Sequence, residues 1–301
     1  GEVQNLSLGF FATSLGNLSF VVIRLATTLV TLPIRLFGVP ISQASLPFLS
    51  KESDDKNLET FKNLITQSLN QIAFFAFPAS VLILILRIPI VRLVFGAKNF
   101  PWETTVLTGW AVAIISVSIG AQAMVQLMIR AFHALKNTTT PLIITTVTVV
   151  SYVVGCFISI NYTSFGVLGI AGVTSATALL EVFLFMFFLQ KTVPVFLSKS
   201  FILSQLKMIT ASFLLAVSLY LPFRVLDQLV FNTTKTVELI ALTLVTGTIG
   251  MLVYIYFAVL FRIEELSIIN KLLDMSVGKW KRSANKTTEV FIEHSMEDDF
   301  P

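Results

Sequence analysis

Charged side chains are scarce in this chain: Asp, Glu, Lys and Arg make up 13% of its 301 residues, against about 25% in an ordinary soluble domain. With 55% hydrophobic residues and a mean hydropathy of +0.84, the composition excludes a water-soluble globular protein. Cysteine occurs once, as Cys156, which rules out an intrachain disulfide. Histidine occurs twice, as His133 and His294, and neither has a partner at metal-ligand spacing, so zinc chemistry of the usual patterns has no foothold. Gly166, Gly169 and Gly172 superficially resemble a phosphate-binding loop. They open a hydrophobic run with no strand before it, and close helix packing is the expected reason for them. No nucleic-acid signature is present.

What the chain does have is long stretches without charge. Residues 3–23, 63–86, 104–129, 137–180 and 239–261 contain no Asp, Glu, Lys or Arg, and a membrane-spanning helix needs about 20 mostly apolar residues. The longest run accommodates two spans, with Asn161–Gly166 as the turn between them. The pattern predicts an all-α, polytopic helix bundle with eight spans: 3–16, 18–48, 64–95, 104–131, 139–161, 167–190, 201–223 and 236–261. The first span is short, Gly1 is not an initiator residue and no signal peptide precedes it, so the chain is expected to be the later part of a longer one.

Lysine and arginine choose an orientation. The loops 49–63, 132–138 and 191–200 and the tail after 262, with the adjoining Arg130, Lys207 and Arg262, hold 14 of the 21 basic residues. The opposite loops hold only Lys98, Arg224 and Lys235. The asymmetry predicts a cytoplasmic C-terminus. In the tail, Ile263, Leu266, Ile269 and Leu273 recur at helical spacing ahead of Lys279, Trp280, Lys281 and Arg282, a pattern suited to a helix at the inner membrane surface. The acidic segment Glu289–Asp299 is expected to be disordered.

Polar residues inside spans carry the functional signal. Arg24, Thr28, Thr31, Arg35 and Ser42 follow one another at offsets of 4, 7, 11 and 18, which places them on one face of a regular helix. An arginine at the bilayer centre costs roughly 2.5–3.5 kcal/mol on insertion scales, so such residues face water or a partner. Arg24 is near enough to the outer end for its head group to snorkel, and Arg35 is also open to pairing with a buried carboxylate. Pro33 removes a backbone hydrogen bond beside Arg35 and is expected to bend the helix. Glu181, the only acid deep inside a span, Glu238 standing at the very start of the last one, has three readings: a counter-ion for Arg35, a cation or proton site, or a carboxyl kept protonated by burial. Gln122 and Gln126 continue a polar line from Ser118 and are expected either to bond between helices or to line a cavity. Arg87 and Arg92 flank Pro89 and suit anchoring at the interface.

Several runs carry a resemblance. LPIRLFGVPISQASLPFLSK (Leu32–Lys51), FPASVLILILRIPIVRLVFGAKNF (Phe77–Phe100), RAFHALKNTTTPL (Arg130–Leu142) and GVLGIAGVTSATALLE (Gly166–Glu181) resemble, in that order, the second half of the fourteen-helix MurJ/MviN-like lipid II flippases. That family belongs to the multidrug/oligosaccharidyl-lipid/polysaccharide exporter superfamily. The resemblance implies that residues 1–191 are the second six-helix lobe of a two-lobe exporter, with the first helix truncated. Residues 192–262 would be two additional helices that help form a groove for a polyprenyl tail, and 263–301 a cytoplasmic tail. It further implies alternating-access transport of undecaprenyl-diphosphate-linked peptidoglycan precursor across the bacterial cytoplasmic membrane, without enzymatic chemistry. The partners implied are the lipid-linked glycan, membrane lipids and a first lobe absent from this chain. No cofactor is implied beyond a coupling cation, H+ or Na+, or the membrane potential.

The chain also departs from the family pattern. Alignment on Pro33 puts the family's arginine at Thr28, while Arg35 stands where a small residue is common. The loop aspartate is Asn137, and Thr139 replaces a basic residue. Arg24, Thr28, Thr31 and Arg35 are therefore the candidate substrate-binding set, Glu181 the coupling candidate, and Gln122 and Gln126 the polar cavity candidates. Two other functions stay open: export of another lipid-linked oligosaccharide or small amphipathic compound, and a non-transporting half-bundle that interacts with a membrane partner.

Overall fold

The computed structural model describes residues 2–54, 58–96, 101–193, 197–225 and 236–267. Among these residues eleven α-helices and one π-helical segment follow in order: α1 Glu2–Ser14, α2 Asn17–Pro33, the π segment Ile34–Gly38, α3 Val39–Asp54, α4 Leu58–Ile85 and α5 Arg87–Phe95. They continue with α6 Trp102–Ser116, α7 Ile119–Ala134, α8 Thr139–Tyr162, α9 Gly166–Thr192, α10 Lys199–Val225 and α11 Thr236–Leu260. No β-strand occurs among the described residues.

Each expected span has a counterpart, but three are not simple rods. Among the described residues six helices are long and apolar enough to cross a membrane, and the bent pair α6–α7 makes a seventh. Of the eight expected spans, that leaves α1, only 13 residues long. The chain is a multi-pass membrane protein. Its exposed surface fits that setting, with α8 presenting Leu142, Val150 and Phe157 and α9 presenting Leu180, Phe183 and Phe187, far more apolar area than a soluble monomer shows.

The expected span 64–95 is broken at Leu86, which separates α4 from α5. Pro89 is the cause: its ring would collide with the carbonyl three to four residues back, and it has no N–H to donate. The span 104–131 breaks at Val117–Ser118, where α6 and α7 meet at 48°. No proline is involved. Hydroxyl groups from other helices capture the carbonyls around the bend: Ser80 Oγ of α4 donates to the Ser116 carbonyl at 2.5 Å, and Ser175 Oγ of α9 donates to that of Ile114 at 2.6 Å. Irregular backbone survives at membrane depth only when such groups satisfy it.

Residues up to Phe261 form one compact unit. Its core is built from Ile23, Leu29, Leu49, Phe61, Ile65, Phe74, Phe132 and Phe185, all fully buried. Helices α4, α6, α7 and α9 pack around one another, α8 lies against α9, and α10 and α11 pair and lean on α4 and α5. Of the three glycines opening α9, Gly169 is a close-packing residue, because a methyl there would collide with Ser159 Oγ of α8. Gly172 has open space around it, and Gly166 is needed for its φ of +52° at the turn, a left-handed conformation that side chains disfavour. A second unit begins at Arg262; the expected surface helix and acidic tail beyond Ser267 lie outside the described residues.

Candidate substrate-binding face and apolar groove

Helix α2 starts after Gly16, whose φ of 105° turns the chain out of α1. Its buried stripe, Val22, Ile23, Ala26, Leu29, Val30 and Pro33, packs mainly against α6 and also meets α9. The opposite side is open: Arg24, Thr28, Leu32 and Arg35 are exposed, with Thr31 at the margin. Four of the five residues predicted to share a face therefore do so.

Ser42 does not. It is fully buried and its hydroxyl donates to the Gly38 carbonyl at 2.5 Å. The reason lies between them. In the π segment Ile34–Gly38, the Val39 N–H bonds back to the Ile34 carbonyl, five residues earlier. One extra residue is thereby taken into the turn, and every later side chain falls one position behind a 3.6-residue count. The exposed positions run 24, 28 and 32 before the segment, Arg35 and Leu36 within it, and Pro40, Gln43, Ala44, Pro47 and Phe48 after it. At Pro33 the outcome is a widened turn within a helix that runs on to Ser53 as one span.

The chemistry of this face is asymmetric. Thr28 Oγ1 donates to the Arg24 carbonyl and Thr31 Oγ1 to the Thr28 carbonyl, both at 2.8 Å. So engaged, the hydroxyls offer a ligand lone pairs and no protons. Positive charge and free donors come from Arg24 and Arg35, neither of which pairs with Glu181 among the described residues. The counter-ion reading of Glu181 is thus not realised. Glu181 is half-buried on α9, one turn from buried Ala178 and Phe185, whereas both arginines stand on the open side of α2 and the π segment.

Gln122 Nε2 donates to Ser118 Oγ at 2.8 Å within α7, and Gln126 is half-buried. Neither lines either of the two cavities described below; α7 presents Ala121 and Met124 to the larger one instead. Arg87 stacks over Trp110 at 4.6 Å and Arg92 over Trp102 at 5.7 Å, cation–π contacts that fit anchoring of α5 near an interface.

Two cavities were not foreseen residue by residue. The larger, about 650 Å³, is an apolar groove floored by Phe77, Val81 and Leu84 of α4, with α9 on one wall through Leu179, Val182 and Met186. Helix α10 forms the other wall through Phe201, Gln205, Ile209, Ser212 and Phe213. The smaller, about 290 Å³, is a cleft between α3 and α4 lined by Ile41, Ala44, Ser45, Phe48, Leu64, Gln67, Ser68 and Gln71. Its sequence signal was the polar run Thr66–Gln71 at the start of the third span, with Gln67 and Gln71 four residues apart. Among the described residues, no group of three His, Cys, Asp or Glu could hold a metal.

Comparison with known proteins places this architecture. The family model for lipid II flippase MurJ matches residues 5–242. A probable lipid II flippase MurJ of Rhizobium meliloti (strain 1021) is 29% identical over 79% of this chain and 44% of its own length. One from Bdellovibrio bacteriovorus is 26% identical over 87% of this chain and 49% of its own. The chain thus spans about half the length of the curated relatives it matches. A solved structure of lipid II flippase MurJ in an inward closed conformation superposes with a TM-score of 0.65 at 26% identity, over 81% of this chain and 49% of that one. This chain belongs to the lipid II flippase MurJ family.

Proposed function

We propose that this chain is the second lobe of a flippase that carries an undecaprenyl-diphosphate-linked peptidoglycan precursor across the bacterial cytoplasmic membrane. The observation that carries the reading is the open face of α2 and the π segment, where two arginines without acidic partners among the described residues stand inside an apolar span. A diphosphate head cannot cross hydrocarbon unaided. Guanidinium groups replace its water with charge-assisted, often bidentate hydrogen bonds. With the threonine hydroxyls engaged, that task falls to Arg24 and Arg35. Eleven residues, or roughly 16 Å of helix axis, separate them, so they form an outer and a deeper station along one path.

The apolar groove between α9 and α10 offers the polyprenyl tail a protein-lined slot while the head occupies the polar face. A first lobe, supplied by the rest of the protein, closes that face from the opposite side, and alternate opening exposes the head to each side of the membrane. The basic loops support a cytoplasmic C-terminus. An inside-negative potential then favours outward movement of the anionic head by about 2.3 kcal/mol per charge per 100 mV. Glu181 is the candidate for coupling to H+ or Na+. No covalent step is needed, so the protein is a transporter and not an enzyme.

The test is Arg35→Ala in the complete protein, in cells depleted of the native copy. Lipid-linked precursor should accumulate on the cytoplasmic side while the variant still inserts in the membrane. Normal translocation would remove Arg35 from the mechanism.

A further inference from the structure

The register shift at the π segment does more than bury Ser42. It brings Gln43 and Pro47 into line with Arg24 and Arg35 and leaves Ala44 and Phe48 exposed on the flank of that face, where both line the cleft between α3 and α4. In an uninterrupted helix, the residues following Arg35 on that face would be Ser42 and its neighbours, and the cleft would open elsewhere. Ile41 and Ala44 are six and nine residues beyond Arg35, or roughly 9–14 Å along the axis. The cleft is therefore the adjoining compartment of the proposed head-group face.

Its chemistry differs from that of the arginine stations. No acidic or basic side chain lines it. The Ser45 and Ser68 hydroxyls are bonded to each other at 2.9 Å, while the Gln67 and Gln71 carboxamides, one turn apart on α4, have no partner among the described residues. Each carboxamide offers two N–H donors and a carbonyl acceptor. Phe48 is 63% exposed at the rim, an aromatic face of the kind that packs against the C–H face of a ring. Neutral donors and acceptors beside an aromatic plate suit a ligand rich in hydroxyl and amide groups and without charge. The volume, about 290 Å³, is at the lower limit of small-molecule sites, roughly 300–1,000 Å³, and so admits one ring and not a chain of them.

We infer that the α3–α4 cleft is a subsite for a single uncharged, N-acylated sugar ring of the transported head group, bound by Gln67 and Gln71 against Phe48, while the arginines take the diphosphate. This rests on the diphosphate reading of the preceding subsection. It assigns specificity to the cleft and charge recognition to the stations.

The experiment measures binding of three short-chain probes to the full protein in lipid nanodiscs: a prenyl diphosphate, the same diphosphate carrying an N-acetylated hexosamine, and the uncharged prenyl glycoside of that sugar. The sugar should improve the affinity of the diphosphate about tenfold, the yield of roughly two neutral hydrogen bonds. In Gln67→Ala/Gln71→Ala that gain should vanish while the sugar-free diphosphate binds as before, which also certifies the fold. Arg35→Ala should weaken both diphosphates and leave the glycoside unaffected. Equal affinity of the two diphosphates for the unaltered protein, or a gain that survives the double substitution, overturns the sugar subsite alone. A sugar-free diphosphate that binds no better than the glycoside overturns the diphosphate reading, and the subsite with it.

Discussion

Gln205 Nε2 of α10 donates to Asn70 Oδ1 of α4 at 2.8 Å, joining residues 135 positions apart in the chain. Asn70 is 8% exposed, and the other amide atom of Gln205 is buried without a partner among the described residues. This bond fastens the wall of the apolar groove to its floor.

Gln205→Leu strands the Asn70 carboxamide, and so does Asn70→Leu for Gln205. Each single change is expected to lower stability in detergent by about 1–2 kcal/mol, while the double change to leucine recovers much of the loss, because an unsatisfied buried group costs more than a missing pair. Interhelical bonds of this kind in membranes couple by about 0.6–1.7 kcal/mol. A thermal-unfolding double-mutant cycle with no coupling would show the contact to be incidental.

Gly38, inside the π segment, is pressed against α7: a methyl group there would stand 3.0 Å from Ala123 Cα and 3.2 Å from its carbonyl oxygen. Backbone gives way less easily than a side chain. Gly38→Ala should cost about 1–3 kcal/mol through overpacking, and Gly38→Val more. Unchanged melting of Gly38→Val would mean that the π segment and α7 separate freely.

The register shift is testable without measuring transport. In a Cys156→Ala background, cysteines at Gln43 and Pro47 should react readily with a membrane-impermeant maleimide, and one at Ser42 should not. Reversal of that order would mean that the helix runs without a π turn and that the sugar subsite opens on another face. Cys156 is buried, so background labelling of the parent chain should be low.

Glu181→Gln removes the carboxylate in the middle of α9 while keeping its shape. If that carboxylate couples transport to a cation, the variant should translocate precursor with a rate indifferent to the ion gradient, at a several-fold lower level. Ion dependence identical to that of the native protein would exclude the role. Retention of precursor binding is expected in either case, since Glu181 is on α9, apart from the arginine face.

Much of the site was legible from residue types alone. Two arginines within an apolar run had to face something polar, and Pro33 announced an irregular turn beside them. Which irregularity followed was not legible: loss of one N–H is compatible with a kink, a 3₁₀ turn or a π turn, and nothing local to the run selects among them. Ser42 was misplaced for that reason. Gln67 and Gln71 were visible as a polar pair at the start of the third span, but their cleft exists only because α3 is rotated to meet them.

Environment and spans follow from the order of residue types, because transfer of apolar side chains into lipid is decided residue by residue and summed along each run. That order also determined where charge would be exceptional. The tertiary structure alone decided which exceptional residues share a face, where the helices break and what satisfies them, and which walls enclose a groove. Those outcomes depend on hydroxyls, glycines and carboxamides meeting partners far away in the chain, and no local periodicity encodes such meetings.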